Sequence, residues 1–141
     1  MGKFKIESTY FEPETGISFC LISYKGNTFS GWANFNTEDA EKYPVSSFLG
    51  CRIAEKRAIK KALMTELKRQ KDKLKTYNEI VSLFNTYEGI PDELAAAYNH
   101  LEKDVSYREK VIDNIDRAIK NDIDNYFNYH DNKKAKKESC E

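Results

Sequence analysis

The sequence predicts an α+β fold in which a three-stranded antiparallel sheet precedes a long antiparallel two-helix hairpin. Residues 1–35 are rich in aromatic residues and are interrupted by short turns that contain glycine. Residues 46–130 instead carry apolar residues at alternating steps of three and four, the period of a helix. At 141 residues the chain has room for one domain, 1–141. We divide it into sheet and loop (1–45), helical hairpin (46–130) and charged tail (131–141).

The three predicted strands cover residues 4–11, 17–24 and 28–35. Pro13 and Gly16 supply the first turn, and the sequence Lys25-Gly26-Asn27 is typical of a tight second turn. Short connections of this kind make an antiparallel meander. The apolar face of such a sheet must be buried against another element, and we expect the helices that follow to pack on it.

The helical region begins after a polar stretch with one turn of helix expected from Thr37. Ser46 or Ser47 is suited to cap the first long helix, which is predicted to end near Tyr87. Gly89 and Pro91 then stop one helix and start the next. The second helix is predicted to end near residue 129, and the charged tail from 133 to 141 is expected to fray.

Both helices carry a heptad seam, which indicates that they pack on each other. The seam of the first helix consists of Leu63, Leu67, Leu74, Tyr77, Val81 and Phe84. The seam of the second consists of Leu94, Tyr98, Leu101, Val105, Ile112, Ile115 and Ile119. A turn near Gly89 places the members of the two seams opposite each other in an antiparallel hairpin.

The seam is interrupted by polar residues at two matching places. Gln70 is predicted to lie opposite Arg108, and Arg57 opposite Asp122. A polar pair in an apolar seam can fix the alignment of two helices at some cost in stability. Alternatively, the seam opens at these places to admit a polar ligand or a second subunit.

Charge is balanced over the whole chain but not along it. Residues 51–75 hold ten basic and three acidic side chains, a net charge of +7, whereas residues 76–132 hold five and twelve, a net charge of −7. Two arms that neutralise each other argue against nucleic-acid binding through the basic first helix. The sequence offers no membrane-length apolar segment and no signal-peptide core. Three cysteines at unrelated spacings favour a reduced, cytoplasmic setting.

Arginine is used sparingly, at five positions against 18 lysines, so the positions that keep it are candidates for a bidentate grip on phosphate or carboxylate. Arg52 and Arg57 follow Gly50 in the first turns of a helix, where backbone N–H groups favour an anion. They can equally be ordinary solvated residues paired with Glu55 or Asp122. Several aromatic residues off the seam or near helix ends are suited to stack on a base or to fill the core: Tyr87, Tyr107, Tyr126, Phe127 and Tyr129.

No combination of residues predicts catalysis. His100 and His130 are isolated, no glycine-rich loop follows a strand, and no nucleophile and base can be paired from their spacing. We therefore expect a binding protein rather than an enzyme, with neither a metal nor a cofactor.

A short sheet that leads through the segment Phe48–Ala58 into a long helical hairpin resembles the first Thoeris anti-defence family of phage proteins. Members of that family are not enzymes. They sequester a cyclic ADP-ribose isomer that a bacterial TIR-domain protein makes as an alarm, some also bind cyclic oligonucleotides, and they assemble as dimers or larger oligomers. The resemblance implies a protein of the host cytoplasm whose aromatic residues stack on adenine and whose arginines hold the diphosphate. The candidate ligand-binding residues are then Arg52, Arg57, Phe84, Tyr107, Arg108 and Arg117.

Two further expectations concern partners. A protein–protein inhibitor or adaptor that presents the helical hairpin to a host protein is the alternative function. Self-association is predicted independently, because a three-stranded sheet leaves two edges and because the chain has more aromatic surface than one hairpin covers. The residues behind this prediction of a homodimer or larger homo-oligomer are Phe4, Tyr10, Phe11, Trp32 and Phe35.

Overall fold

The computed structural model describes residues 3–35, 44–85 and 89–139, with side chains described up to residue 133 except at residue 85. It confirms the α+β fold. The elements are β1 (Lys5–Glu12), β2 (Ile17–Tyr24), β3 (Asn27–Asn34), α1 (Ser47–Asn85) and α2 (Asp92–Ser139). The helical turn expected from Thr37, the predicted end of the first helix at Tyr87 and the third cysteine, Cys140, lie outside the described residues.

The sheet has the order β1-β2-β3 with both neighbouring pairs antiparallel, as the short turns predict. Lys25 and Gly26 connect β2 to β3 with φ angles of 49° and 80°. Two successive positive φ angles are characteristic of the two-residue turn that matches the twist of a hairpin. On the other side of β2, the register of β1 shifts between Ile6 and Ser8. Such a bulge twists the edge strand away from further pairing.

One face of the sheet forms the core together with the helices. Along β2 every second residue is buried, namely Ser18, Cys20, Ile22 and Tyr24. The side chains of Cys20, Ile22 and Tyr24 pack in one cluster with small residues of α1 (Ala54, Ala58 and Ala62) and with Ile119 of α2. The alternation confirms that β2 presents one face to the helices and the other away from them.

Small residues allow α1 to cross very close to the sheet. A Cβ atom at Gly31 of β3 would overlap the carbonyl oxygen of Ala54 and the backbone nitrogen of Ala58. A Cβ atom at Gly50 of α1 would overlap the Ser18 hydroxyl and lie 3.1 Å from Ser18 Cβ. Glycine is therefore required at both positions by space and not by backbone conformation.

The chain divides into two compact units, one of residues 1–62 and 115–141 and one of residues 63–114. The first contains the sheet with the adjoining parts of both helices. In the second unit, the predicted seam is buried at Leu63, Leu101, Val105 and Ile112.

Polar contacts in the second unit support the antiparallel pairing of the helices. The Tyr98 hydroxyl donates to Asn78 Oδ1 over 2.6 Å, and Lys71 Nζ lies 3.1 Å from Glu109 Oε1. Gly89, with φ 95°, donates its N–H to the carbonyl of Phe84, as expected of a glycine that follows the end of a helix.

The second helix is longer than predicted. It was expected to end near Tyr129 and to leave a frayed tail from residue 133, but α2 continues to Ser139. The sequence from 131 to 139 contains no Gly or Pro and is rich in lysine, a good helix former, so nothing in it stops the helix. Within the described ranges, neither helix is long and apolar enough to cross a membrane.

Candidate nucleotide-binding site

A groove of about 390 Å³ lies at the N-terminal end of α1, within the first unit. Its volume falls within the range of small-molecule sites, roughly 300–1,000 Å³. Residues at the start of α1 and on α2, among them three aromatic and two charged ones, line it: Ser46, Phe48, Leu49, Arg52, Asp122, Asn125, Tyr126 and Tyr129. The groove therefore combines flat apolar rings with a guanidinium group.

The start of α1 adds a positive electrostatic contribution to this groove. Ser46 caps the helix, since its Oγ accepts the N–H of Leu49 over 3.1 Å and its carbonyl accepts the N–H of Gly50. No acidic residue occupies the first turn of α1, whereas Asp92 and Glu93 occupy that of α2. The positive end of the α1 dipole is thus not offset by a carboxylate in its own first turn, which favours an anion nearby.

The guanidinium group of Arg52 is hydrogen-bonded through Nε and exposed at its two Nη atoms. Its Nε atom donates to Asp122 Oδ2 over 3.2 Å, and its side chain is half-exposed. Within the described part of the chain, neither Nη atom has an ion-pair or hydrogen-bond partner. The guanidinium carbon lies 5.8 Å from the centre of the Phe48 ring. Arg52 is thus oriented by Asp122 while its outer N–H groups remain available to a phosphate.

Asp122 is the anchor of this arrangement. It also pairs with Lys56, and only 15% of its side chain is exposed. Burial alone raises the pKa of a carboxyl group, but the hydrogen bonds and charges of Lys56 and Arg52 outweigh burial and hold the pKa of Asp122 below its ordinary value. Asp122 therefore stays ionised at neutral pH and keeps both cations in place.

The aromatic walls of the groove differ in exposure. Phe48 and Tyr129 are 74% and 61% exposed, so their rings are accessible to a planar ligand. Tyr126 is half-buried, packs edge-on against Phe35 and donates its hydroxyl to the Pro44 carbonyl. Burial raises the pKa of Tyr126, so its phenol stays protonated at neutral pH. Two open rings beside one fixed ring suit the stacking of a base.

Arg57 does not pair with Asp122, contrary to the prediction. Asp122 faces Arg52 and Lys56, which are four residues apart on one side of α1. Arg57 lies about 100° further round the helix. Its Nη1 atom donates to the Trp32 carbonyl over 2.7 Å. It also lines a smaller cavity of about 130 Å³ with Phe35, Leu49, Ile53, Ile123 and others. Leu49 lines both this cavity and the groove, so Arg52 and Arg57 belong to neighbouring cavities.

Arg108 pairs with Glu66, not with Gln70 as the seam predicts. The Arg108 Nη1 atom lies 3.1 Å from Glu66 Oε1, and the two side chains are only 10% and 7% exposed. Among the described residues, the Oε1 atom of Gln70 is buried and has no hydrogen-bond partner. A carboxylate one turn away compensates the guanidinium charge, which an amide does not. Arg108 is therefore committed to an internal ion pair and is not open to a ligand in this conformation.

The remaining candidates lie apart from the groove. Phe84 and Tyr107 belong to the second unit and are 39% and 55% exposed. Tyr107 lines a shallow depression with Lys103, Lys110 and neighbouring side chains. Arg117 belongs to the first unit, where it is exposed and has no ion pair within the described ranges. Of the six predicted ligand residues, only Arg52 lines the groove.

The three aromatic residues of the groove were not among the predicted ligand residues: Phe48, Tyr126 and Tyr129. The two tyrosines had been noted as aromatic residues suited to stacking, and Phe48 lies in the segment that carries the family resemblance. A large apolar residue on the first turn of a helix, off the seam, is the signal that points to Phe48. The predicted hairpin already brings this part of α2 to the start of α1, but it does not specify which side chains of the two helices meet there: Asp122 contacts Arg52 and Lys56 instead of the predicted Arg57.

Comparison with protein-family models, with curated proteins and with solved structures found no match. The resemblance to the Thoeris anti-defence family therefore stays a prediction. In the described ranges, no group of three or more His, Cys, Asp or Glu side chains is placed to hold a metal ion.

Proposed function

We propose that this protein binds and sequesters a cyclic nucleotide signal, a cyclic ADP-ribose isomer, without cleaving it, and so acts as a phage anti-defence protein in the host cytoplasm. The observation that carries the proposal is the groove at the start of α1. There, the free edge of Arg52 lies beside exposed aromatic rings.

The chemistry of the groove matches the two parts of such a ligand. Phe48 and Tyr129 offer exposed rings to an adenine face, an interaction worth about 1–3 kcal/mol per base. The two Nη atoms of Arg52 can donate to two phosphate oxygens, and the start of α1 favours the same charge. Asp122 would repel a phosphate, but Lys56 and Arg52 already offset its charge. The ligand is therefore expected to lie on the Nη side of Arg52.

Sequestration requires tight binding, and a dissociation constant of 1 μM corresponds to about 8 kcal/mol. One stacked base and one bidentate arginine supply only part of this. A further contribution is expected from burial of the ligand surface in the groove or between copies of the chain.

Thermal melting with cyclic ADP-ribose, its isomers and cyclic oligonucleotides tests the proposal. A ligand at 100-fold over its dissociation constant adds about 2.7 kcal/mol of stability. Arg52→Ala should weaken binding roughly 10- to 100-fold, the effect of losing charge-assisted hydrogen bonds. Phe48→Ala should also weaken it, whereas Arg69→Ala, an exposed arginine elsewhere on α1, should leave it unchanged. No stabilisation by any of these nucleotides would refute the proposal, as would binding that both groove variants retain.

Sequestration is distinguished from turnover by recovering the ligand. After prolonged incubation with the protein and denaturation, chromatography should return the cyclic ADP-ribose isomer intact and in full. Recovery of a linear product would show hydrolysis and would contradict the non-enzymatic part of the proposal.

A second function is favoured by one surface of the second unit. Ile80, Leu83 and Phe84 lie on one face of α1 and are 36%, 67% and 39% exposed. An apolar face on a helix suits the alternative of an inhibitor or adaptor that presents the hairpin to a host protein. In that case a host protein should co-purify with the chain, and Leu83→Asp should release it while nucleotide binding is unaffected.

A further inference from the structure

The outer edge of β3 is suited to pair with a further strand. Within the described part of the chain, β3 lies at one end of the sheet and pairs only with β2. That pairing runs without a register shift over all eight residues of β3, whereas β1 on the opposite edge carries a bulge. A regular edge presents unpaired N–H and C=O groups to an added strand, while a bulge disfavours one. Of the two edges, β3 is therefore the one that can bind an extended peptide.

The register determines which backbone groups of β3 face this edge. Phe35 donates its N–H to the carbonyl of Gly16, just before β2, so these two residues form a hydrogen-bonded pair. Backbone groups in an antiparallel pair alternate in direction from one residue to the next. Those of Asn34 face the other way from those of Phe35, and those of Trp32 share the direction of Asn34, away from β2. The hydrogen bond from Arg57 Nη1 to the Trp32 carbonyl, at 2.7 Å, agrees with this assignment.

A mostly apolar cavity of about 130 Å³ lies beside the end of β3, between the sheet and the helices of the first unit. Ala33 and Phe35 belong to its sheet side, and Ile53 and Ile123 belong to its helix side. Its volume is close to that of an apolar cavity that holds a benzene ring, about 150 Å³. One branched or aromatic side chain therefore fills it, whereas a nucleotide is too large. Arg57 is the single charged residue among those that line the cavity.

Arg57 places a positive charge where the cavity meets the strand edge. Its Nη1 atom donates to the Trp32 carbonyl, and within the described ranges no other atom of its side chain has a hydrogen-bond or ion-pair partner. The residue is exposed. The N–H groups of Nε and Nη2 are therefore available to an anion, and a carboxylate matches the planar fork of a guanidinium group.

We propose that the edge of β3 binds the C-terminus of an extended peptide that ends in a branched or aromatic apolar residue. The peptide runs antiparallel to β3. Its penultimate residue exchanges two main-chain hydrogen bonds with Asn34, and its last residue lies opposite Ala33. Directly opposite residues of an antiparallel pair share one face of the sheet, so the last side chain enters the cavity that Ala33 lines. The peptide ends where Arg57 occupies the Trp32 carbonyl, which places the terminal carboxylate beside the guanidinium group.

The position of Arg57 selects both the direction of the peptide and its free end. A peptide parallel to β3 would carry its carboxylate beyond Asn34 and away from Arg57. A strand that continued past Arg57 would need the Trp32 carbonyl as an acceptor, and that carbonyl already accepts from Nη1. Such a strand would also bring no negative charge to the guanidinium group. Because the contacts are few, the dissociation constant is expected to be on the order of 10–100 μM.

Isothermal titration of the full chain with short peptides tests the class of ligand. The reference is acetyl-Gly-Ser-Thr-Thr-Leu with a free carboxylate, and its C-terminal amide is the matched control. The amide should bind about tenfold or more weakly, because it loses charge-assisted hydrogen bonds. Replacing the last Leu by Ala should also weaken binding at least about tenfold, since each buried CH₂ group corresponds to about fourfold in affinity. Equal affinity of the acid and the amide, or no binding of the acid at about 1 mM, would overturn the proposal.

N-acetyl-leucine separates a peptide site from a site for a free acid, because it carries the same side chain and carboxylate without the strand. It should bind at least about tenfold more weakly than the reference peptide, since it cannot pair with the edge of β3. Equal binding of the two would show a site for a small free carboxylate and would overturn the pairing with β3.

Arg57→Gln removes the charge but keeps an amide group that can donate a hydrogen bond. Affinity for the reference peptide should fall about tenfold, and the difference between the acid and its amide should disappear. Arg69→Gln, at another exposed arginine of α1, is the matched control and should change neither. Thermal melting verifies that both variants are folded. A folded Arg57→Gln variant that still prefers the acid would refute the role of Arg57.

Hydrogen exchange followed by NMR tests the register. The N–H groups of Asn34 and Ser30 both point to the open edge, because the two residues are an even number of positions apart on β3. Saturating peptide should slow exchange at Asn34 and leave Ser30 unchanged, since the peptide ends at Arg57. Slowing at both residues, or at neither, would overturn the proposed register. The experiment uses no nucleotide and Arg57 does not line the groove at α1, so its failure would leave the nucleotide proposal standing.

Discussion

The buried ion pair between Glu66 and Arg108 is the contact whose removal should cost most stability. Their side chains are 7% and 10% exposed, so each charge has little access to water. Removing either partner leaves an uncompensated buried charge, which costs about 3–5 kcal/mol. At roughly 2–4 °C per kcal/mol for a chain near this size, Glu66→Leu or Arg108→Met should lower the melting temperature by about 10–15 °C.

The double variant should behave differently from the sum of the two single ones. Within the described residues, the Nε atom of Arg108 has no hydrogen-bond partner, so the natural pair already carries an unsatisfied buried group. Replacing both residues removes that group together with both charges. The double variant should therefore lie within about 1 kcal/mol of the natural chain or exceed it, as buried pairs replaced by apolar residues often do.

Urea and thermal denaturation followed by circular dichroism measure the complete cycle. Lys71 and Glu109, an ion pair in the same unit that is about half-exposed, provide the matched control, and its single variants should change stability by less than about 1 kcal/mol. Single variants of the buried pair that cost no more than this control would refute the reasoning. Nucleotide binding by the stable double variant would in addition show that Arg108 is structural rather than a ligand residue.

Three further substitutions test the packing and electrostatics of the first unit. Gly31→Ala should destabilise the fold by about 1–3 kcal/mol, because the added Cβ would meet the backbone of α1. Thr28→Ala on the same strand is the control and should have a small effect. Equal melting temperatures of the two variants would contradict the close approach of α1 to β3. The pKa of Asp122 is lowered on folding, so its contribution to stability is present above the ordinary value of 3.8 and is lost as the pH falls through the folded pKa. Asp122→Asn should therefore reduce stability at pH 7 and flatten its loss below about pH 4, and an unchanged acid profile would argue against the pair. Arg57→Ala removes the donor to the Trp32 carbonyl at the edge of β3 and should speed hydrogen exchange in β3 more than in β2; uniform exchange would refute that role.

The fold follows from the sequence because its main signals are local and repeated. The run of apolar residues in β2, the glycine turns at Gly16 and Gly26 and the two heptad seams each specify an element without information from elsewhere. The end of α2 was placed too early because a charged tail has no apolar period, although its lysines favour a helix as much as a coil.

The candidate site was harder to predict because it depends on which side chains meet between helices. The predicted seam gave the approximate pairing, but an offset of one turn decides that Arg108 meets Glu66 and that Asp122 meets Arg52. Arg52, one of the arginines singled out by their scarcity, lines the groove, and its role as a ligand residue stays a prediction. The scarcity of arginine did not distinguish Arg52 from Arg108. Burial makes that distinction, because the exposed Arg52 is accessible to a ligand whereas the buried Arg108 is paired with Glu66.

The same packing that holds α1 on the sheet also presents the groove. Gly50 and Ala54 lie against the sheet, one turn apart on the buried side of α1. At 100° per residue, Phe48 and Arg52 lie on roughly the opposite side of the helix, each two positions from Gly50. The closer α1 approaches the sheet, the more firmly its first turn is fixed, and the more fully these two side chains are directed away from the core. A site that requires an exposed ring beside an oriented arginine is therefore a consequence of the glycine contacts beneath it.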